Sequence, residues 1–482
     1  MTTAAVNPSY FNLQRAILRF EFASIQEIDI TALIPAIELN SSITSETMFG
    51  KVRVVDSAGL LEETPLRGEE QLILEIADAK MINENGGESG VVSQPYRFVG
   101  FVYKIDNVSA KEVNDSITYD MHFVSYQSSA AGTFNIVRSF RDKRVSEIVQ
   151  TIFNDYYTKD TFLPSTSAKT LKIEETDGTI RCIIPRMRPE EAMTFLSKRA
   201  YSSNNSPSCT YRFFENSRSY HFVTDEHLFR LAEQDDDRKF TFTFLDAIPK
   251  TMEYFDAQRN NLEMIDNSRR INTFDDIYHG AYRNKVLMVD ILRRTTNLLD
   301  DTDQFNYFER RNKYFDVNSF QQLQDRHTEA FINKVHKRPS EEGRDEDIQQ
   351  RFIIVANYDV GLESANDESS LPAELYYPQI ISNRQAYAKH IESITVNAVG
   401  PGRLDVTAGD IVTLDIKKLQ FADNNESTTT EQNKHLSGRY IVKTVSHVME
   451  LEEMKNHYVL IKKDWSNTTL RIGEDGRLIG GL

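Results

Sequence analysis

Two histidines, His221 and His227, are the nearest this chain comes to a metal-binding pair. They flank a predicted hairpin rather than share a helix face. Zinc needs at least three placed ligands, and no third donor stands nearby, so an ordinary polar strand edge is the plainer reading. His-Glu-x-x-His and Walker A spacings are absent. The run Gly86-Gly87-Glu88-Ser89-Gly90 fails the Gly-x-Ser-x-Gly spacing of a nucleophile elbow and reads as a turn. Gly400-Pro401-Gly402 is also a turn signal, because no helical pattern follows it to cradle a phosphate. Adjacent acids occur at Glu62-Glu63, Glu190-Glu191, Asp300-Asp301 and Glu452-Glu453. A glycosidase needs two carboxylates at a fixed separation in space. With 72 acidic residues in the chain, such pairs arise by chance, and acids are mostly solvated. Phe305, Tyr307, Phe308, Tyr314 and Phe315 cluster with Arg310, Arg311 and Lys313. Stacking rings with cations could hold a single strand of nucleic acid, but such grooves are electropositive. The acidity of the chain favours a packed insert or a subunit contact. The expectation is no catalytic residue, no cofactor-binding residue, no metal ligand and no cofactor.

The 482 residues carry a net charge of −16 and are 40% apolar. The length predicts about three domains. The charge argues against a grip on duplex DNA, which requires Lys and Arg at the phosphates, and fits a self-repelling, soluble surface. Only Cys182 and Cys209 are present, too few for a disulfide scaffold, so both are expected as reduced, partly buried thiols. The start lacks the basic and apolar regions of a secretory signal. No apolar run approaches the ~20 residues that span a bilayer. These features predict synthesis in a cytoplasm and no membrane-spanning segment.

The elements that position these residues are mainly strands. Residues 14–125 alternate with period two, as in Leu18 to Phe22, Val52 to Val54 and Ile117 to Phe123, which predicts strands with one buried and one wet face. Several such strands with polar turns point to a small antiparallel barrel or sandwich. Helical spacing then takes over at Val145, Ile148, Val149, Ile152, Phe153 and Tyr156, preceded by the basic run Arg138 to Arg144, read as a solvated approach to that helix. A second helix is expected from Pro189, where proline suits the first position and Glu190 and Glu191 suit the positive end of the dipole. Ile180 to Ile184 reads as a strand between the helices. Strands resume at Tyr211 to Phe213, Tyr220 to Phe222 and Phe240 to Phe244. Residues 250–385 mix strand-like pieces, such as Val286 to Val289, with expected helices near 320–334 and a charged loop at 338–346.

One pattern occurs twice. Leu66-Arg67-Gly68-Glu69 precedes the run Gln71 to Ile76, and Val406-Thr407-Ala408-Gly409-Asp410 precedes Ile411 to Ile416. A polar loop follows each copy, at 77–95 and 417–436. A second strand then comes near Gly100 and after Gly438. The chain is expected to hold the same β-unit twice, with the two loops at equivalent places.

The segment Val399 to Val412, with Leu436 to His447 and Tyr458 to Asp464, resembles the second tube barrel of baseplate hub proteins of contractile-tailed phages, and is similar to the hub portion of type VI secretion spike proteins. Ile183 to Leu196 resembles the helix that follows the first barrel in that family, and Glu27 to Ile76 resembles the first barrel. The resemblance covers about two thirds of the chain and leaves 250–385 unmatched. It implies an α+β, mainly β fold with two similar antiparallel β-barrel (tube-type) domains, a small α/β domain and a mixed insert. The expected division is 1–135 for the first barrel, 136–205 for the α/β domain, 206–250 with 385–466 for the second barrel, 251–384 for the insert and 467–482 for a C-terminal tail.

In function, the resemblance implies a structural, non-enzymatic baseplate hub in a virion tail, made in the bacterial host cytoplasm. A homotrimer of two-barrel chains would form a pseudo-sixfold ring joining the hexameric tail tube to the trimeric central spike, because closed rings require matched symmetry. DNA would pass through its lumen, with an acidic wall expected from the net charge. Implied partners are the tail tube protein and the central spike protein, with baseplate wedge and tape-measure proteins as further contacts. The alternatives are the hub of a related bacteriocin or secretion machine and, in a different class, a β-rich carbohydrate-active enzyme using paired carboxylates.

Overall fold

A computed structural model describes residues 8–20, 27–64, 66–78, 95–111, 116–158, 168–203, 210–228, 239–244, 255–269, 284–290, 295–299, 351–357, 384, 394–416, 433, 436–451, 453–462, 471–472 and 478–479. The fold is α+β and mainly β.

The first β-unit contains β1 (Phe11–Arg19), β2 (Glu27–Asp29), β3 (Ala36–Ser42), β4 (Phe49–Asp56), β5 (Gln71–Asp78), β6 (Tyr96–Lys111) and β7 (Ser116–Ser125), with a short helix α1 (Leu60–Glu63) between β4 and β5. Hydrogen bonding runs in the order β3-β4-β7-β6-β5-β1-β2, with each of these pairs antiparallel. The sheet curls around one core that draws Leu18, Leu39, Val52, Leu74, Phe98 and Phe123 from six of its strands. Period two places these residues on one face. β4 keeps that alternation, with Gly50, Val52 and Val54 buried and their neighbours less so. β5 departs from it, because Ile73 on its other face is buried too. Ile73 lies opposite Ile17 of β1, and the cross-strand pair shields both residues.

The chain then builds α2 (Tyr126–Gly132), β8 (Ile136–Arg144), α3 (Val145–Tyr156), β9 (Leu171–Ile173), β10 (Thr179–Met187), α4 (Pro189–Ser197), β11 (Arg212–Glu215) and β12 (Tyr220–Val223). Helix α3 buries Val145, Ile148, Val149, Ile152 and Phe153, the stripe that its spacing predicts. Helix α4 starts at Pro189, with the Glu191 carboxylate accepting from the Arg188 N–H at 3.1 Å. The basic run 138–144 belongs to strand β8, which pairs with β10, and its side chains are mostly exposed. Arg138 meets Asp155 at 2.7 Å, and Asp142 meets Arg181 at 2.8 Å. The hairpin β11–β12 differs from its expected place beside the second barrel. β12 pairs in parallel with β9, and Tyr211, Phe213, Tyr220 and Phe222 pack into the α/β core. Its aromatic face fits the flank of α3, where Phe153 and Tyr157 meet Tyr220 at 5.3 Å.

The second β-unit uses β13 (Lys239–Phe244), α5 (Phe255–Asn260), β14 (Asn261–Leu262), β15 (Met264–Arg269), β19 (Ile394–Pro401), β20 (Ile411–Ile416), β21 (Gly438–Glu450) and β22 (Glu453–Lys462). Between β15 and β19, β16 (Asn284–Asp290), β17 (Thr295–Leu299) and β18 (Arg351–Asn357) form a separate sheet in the order β17-β16-β18. Val286 to Val289 therefore lie on a strand, as their composition predicts. Residues 320–334 and 338–346 lie outside the described residues. Near the C-terminus, β23 (Arg471–Ile472) and β24 (Leu478–Ile479) pair antiparallel.

Candidate assembly site

The repeat extends from local sequence to strand order and hydrogen bonds. The first unit reads β1-β5-β6-β7-β4-β3, and the second reads β13-β20-β21-β22-β19-β15. At the turn before each long strand pair, a glycine takes positive φ, +81° at Gly68 and +87° at Gly409, a region open to glycine without Cβ strain. An acidic side chain closes each turn. Glu70 accepts from the N–H groups of Arg67 and Gly68 at 2.7 and 3.0 Å, and Asp410 accepts from the Thr407 N–H at 2.9 Å. Val102 N donates to Glu70 O at 2.9 Å, and Val442 N donates to Asp410 O at 2.9 Å. One residue later both strands bulge, between Val102 and Lys104 against β7 and between Val442 and Thr444 against β22. A bulge raises the local twist and lets a strand change partners along one edge. The units differ at one edge: β1 runs antiparallel to β5, whereas β13 runs parallel to β20. The second unit is thus not wholly antiparallel, because β13 reaches this edge from the α/β unit, distant in sequence from β20, rather than by a hairpin.

Partner change at the bulge joins the units. The first part of β21 pairs with β20, from Gly438 opposite Leu414 to Ile441 opposite Ile411. Its second part pairs antiparallel with β3 of the first unit, from Thr444 opposite Ser42 to Glu450 opposite Ala36. One continuous sheet therefore runs through both units. Met449 and Met454 of the second unit sit in the core of the first. At the start of the seam, Ser42 Oγ lies 3.0 Å from Thr444 Oγ1, and the Ala408 N–H donates to Ser41 Oγ at 3.3 Å.

A buried polar network backs the seam. Arg259 pairs with Asp78, and the Leu404 N–H donates to Asp78 at 3.1 Å. Arg403 grips Asp405 through two hydrogen bonds of 2.7 Å. Burial pushes the Asp405 carboxyl up, but the Arg403 hydrogen bonds and charge, with the Arg259 charge, outweigh it and hold the group at about 2. Asn456 donates to Arg403 O and to the Tyr458 hydroxyl, each at 2.7 Å. Its carbonyl oxygen therefore accepts from His447 Nδ1 at 2.8 Å. Burial lowers the His447 pKa against that hydrogen bond, so the ring is neutral near pH 7. This network is an ion-pair and hydrogen-bond lock between strands.

The residues singled out for chemistry do not converge. His221 is buried, stacked on Phe214 at 4.8 Å, with Nε2 3.0 Å from both Asn216 and Ser219. His227 lies 4.0 Å from Glu174. Among the described residues no group of three His, Cys, Asp or Glu side chains is placed to hold a metal. Glu62 and Glu63 are exposed on the first turn of α1, and Glu190 and Glu191 serve the start of α4. Glu453 is an exposed strand end, while Asp300, Asp301 and Glu452 lie outside the described residues. So do the 305–315 aromatic cluster and residues 86–90. Cys182 is a half-buried thiol, and Cys209 lies outside the described residues. Among the described residues no helix is long and apolar enough to cross a membrane. The seam and its network were not found from sequence. The available signal was an acid shortly after each positive-φ glycine, Asp410 directly after Gly409 and Glu70 two residues after Gly68.

No family model matches the chain, and no curated protein matches it. Solved structures do. The tail protein from Neisseria meningitidis MC58 is 8% identical, with 94% of this chain and 96% of that one covered at a TM-score of 0.46. The 43 kDa tail protein of prophage MuSo2 from Shewanella oneidensis is likewise 8% identical, covering 94% and 99% at a TM-score of 0.45. The E. coli c3393 protein, a component of the type VI secretion system, is 6% identical, covering 95% and 77% at a TM-score of 0.39.

Proposed function

We propose that this chain is a structural hub of a contractile injection machine, in which three copies form a ring of six similar β-units between a sixfold tail tube and a threefold spike. The observation that carries the reading is the matched strand order of the two units, with its matched bulges and its seam across β21 and β3. A closed ring needs equivalent contacts around its axis. A chain holding two equivalent units offers threefold contacts to one neighbour and near-sixfold contacts to another. In this reading 1–135 and 206–250 with 385–466 are the two barrels, 136–205 the α/β domain, 251–384 the insert and 467–482 the tail, with the hairpin at 212–223 serving the α/β domain. The protein has no enzymatic role, resides in the tail baseplate of a virion and is made in the host cytoplasm. Its acidic lumen lets DNA pass without sticking. The tube protein and the spike protein are its principal partners, with wedge and tape-measure proteins beyond them.

Light scattering on the purified chain tests the reading. The expected species has three times the 55.5 kDa mass of the chain, and it captures the spike protein of the same particle. A stable monomer over a hundredfold concentration range, unchanged by the spike, overturns the proposal.

A further inference from the structure

The seam uses one edge of β21 and one edge of β3. The equivalent edges, on β6 and on β15, have no strand partner among the described residues. β6 pairs with β5 only from Tyr96 to Phe101, and its later residues bond to β7 alone. β15 bonds to β19 on one side. Tyr103 to Lys104 and Asn107 to Ser109 are exposed, and Val108 is 56% exposed. Met264 on β15 is 55% exposed. Long unpaired edges with exposed apolar side chains attract another strand and are normally blunted or covered. Both edges belong to the same positions of the repeat that already pair within the chain.

We propose that these two edges pair with each other between copies of this chain, β6 of one copy adding to β15 of the next, so that the inner seam is repeated at every subunit boundary. The occupant of each edge is a second copy, because the chain already contains the same junction built from equivalent strands. This rests on the ring reading and names the strands that close it.

The repeat also fixes the register. Met264 lies opposite Val399 on β19 as Ala36 lies opposite Arg53 on β4. Counting along both units, Glu38 is matched by Asp266. On the other strand, Val448 lies opposite Lys455 and Ser109 opposite Thr118, so Val448 is matched by Ser109. Within the chain Val448 faces Glu38. Between copies Ser109 therefore faces Asp266, and by the same count Asp106 faces Ser268. The positive φ of Asn107, at 55°, marks an extra residue on β6, a second bulge that the seam accommodates between these two pairs.

Engineered disulfides test the pairing in the full chain after Cys182→Ser and Cys209→Ser. Ser109→Cys with Asp266→Cys, oxidised by glutathione disulfide, should give covalent trimers on a non-reducing gel. Val448→Cys with Glu38→Cys should give an internal bond in the monomer band, since that pair is already adjacent. Ser109→Cys with Glu263→Cys, out of register, should link far less. A trimer by mass in which the internal pair closes but the Ser109 and Asp266 positions stay unlinked overturns the inference and leaves the ring reading standing. A monomer by mass overturns both. As a measurement free of cysteine chemistry, Val108→Glu with Met264→Glu should raise the concentration for trimer assembly at least tenfold with unchanged circular dichroism. Unchanged assembly in that variant counts equally against the pairing.

Discussion

Removing the amine of Lys169 should loosen the α/β unit from the first β-unit. Glu215, on β11, is fully buried, and the Lys169 side chain is 16% exposed. Lys169 Nζ donates to Glu215 at 2.7 Å and to Asn216 O at 2.8 Å, and its third side faces Met48 Sδ at 3.4 Å. Glu215 also accepts from Ser125 Oγ at 2.7 Å, from the Met48 N–H at 3.0 Å and from Thr47 Oγ1 at 3.2 Å. Ser125, Thr47 and Met48 belong to the first unit, so one carboxylate ties two units together. Lys169→Met leaves that carboxylate buried beside neutral donors only, which costs about 3–5 kcal/mol for a broken buried pair. At ~2–4 °C per kcal/mol for a cooperative unit of this size, the first calorimetric transition should fall by roughly 6–20 °C. Glu215→Gln alone should cost about 1.5–3 kcal/mol, because its amide NH2 cannot accept and leaves either the Lys169 and Ser125 donors or the Thr47 and Met48 donors without an acceptor. The double variant should be more stable than the sum of the two by at least about 1 kcal/mol, since the pair couples. Hydrogen exchange at the Met48 amide should accelerate in step. Losses that add to within about 0.5 kcal/mol would show that Lys169 and Glu215 do not act as a pair and would refute the reasoning.

Three further outcomes follow from the structure. Stability of the seam should erode in acid in two stages. The folded-state pKa of His447 is depressed by burial, so the unfolded chain gains its proton first and stability falls as pH drops below about 6.5. Asp405, held at about 2, contributes stability present above the unfolded value near 3.8 and lost as pH falls toward 2; His447→Gln should abolish only the first stage in a urea-midpoint profile. Gly50→Ala should destabilise the first unit by about 1–3 kcal/mol from overpacking, since a Cβ there would sit 2.2 Å from the Glu38 carbonyl oxygen and 2.6 Å from the Phe123 ring; an unchanged midpoint would show that β3 and β4 yield. Gly59→Ala meets open space but keeps a φ of +74°, so its cost should be only the ~1–2 kcal/mol of left-handed strain, read by the same denaturation.

Local chemistry in the sequence made several elements legible. The apolar stripe from Val145 to Tyr156 settles α3, because a helix places those side chains on one face whatever packs against it. Pro189 followed by two acids marks the start of α4. The two glycine-acid turns before alternating runs announce β5 and β20, and in each an acid side chain, Glu70 or Asp410, binds the backbone behind it. The hairpin β11–β12 was legible as a hairpin, but its place was not. Whether Tyr220 faces a helix of the α/β unit or the second sheet depends on shapes contributed by Phe153 and Tyr157, distant in sequence. The parallel run of β13 beside β20 was hidden for the same reason: a strand's own pattern is blind to its neighbour's direction.

The sequence by itself determined that one β-unit occurs twice and that a helical unit follows the first copy. Those properties are written in local periodicity and turn chemistry. Tertiary structure alone decided how the copies meet. β21 changes partner at its bulge because twist carries it away from β20, and β3 is the strand whose free edge it then reaches. Edge pairing is made by backbone groups that every residue carries, so no side-chain pattern encodes it.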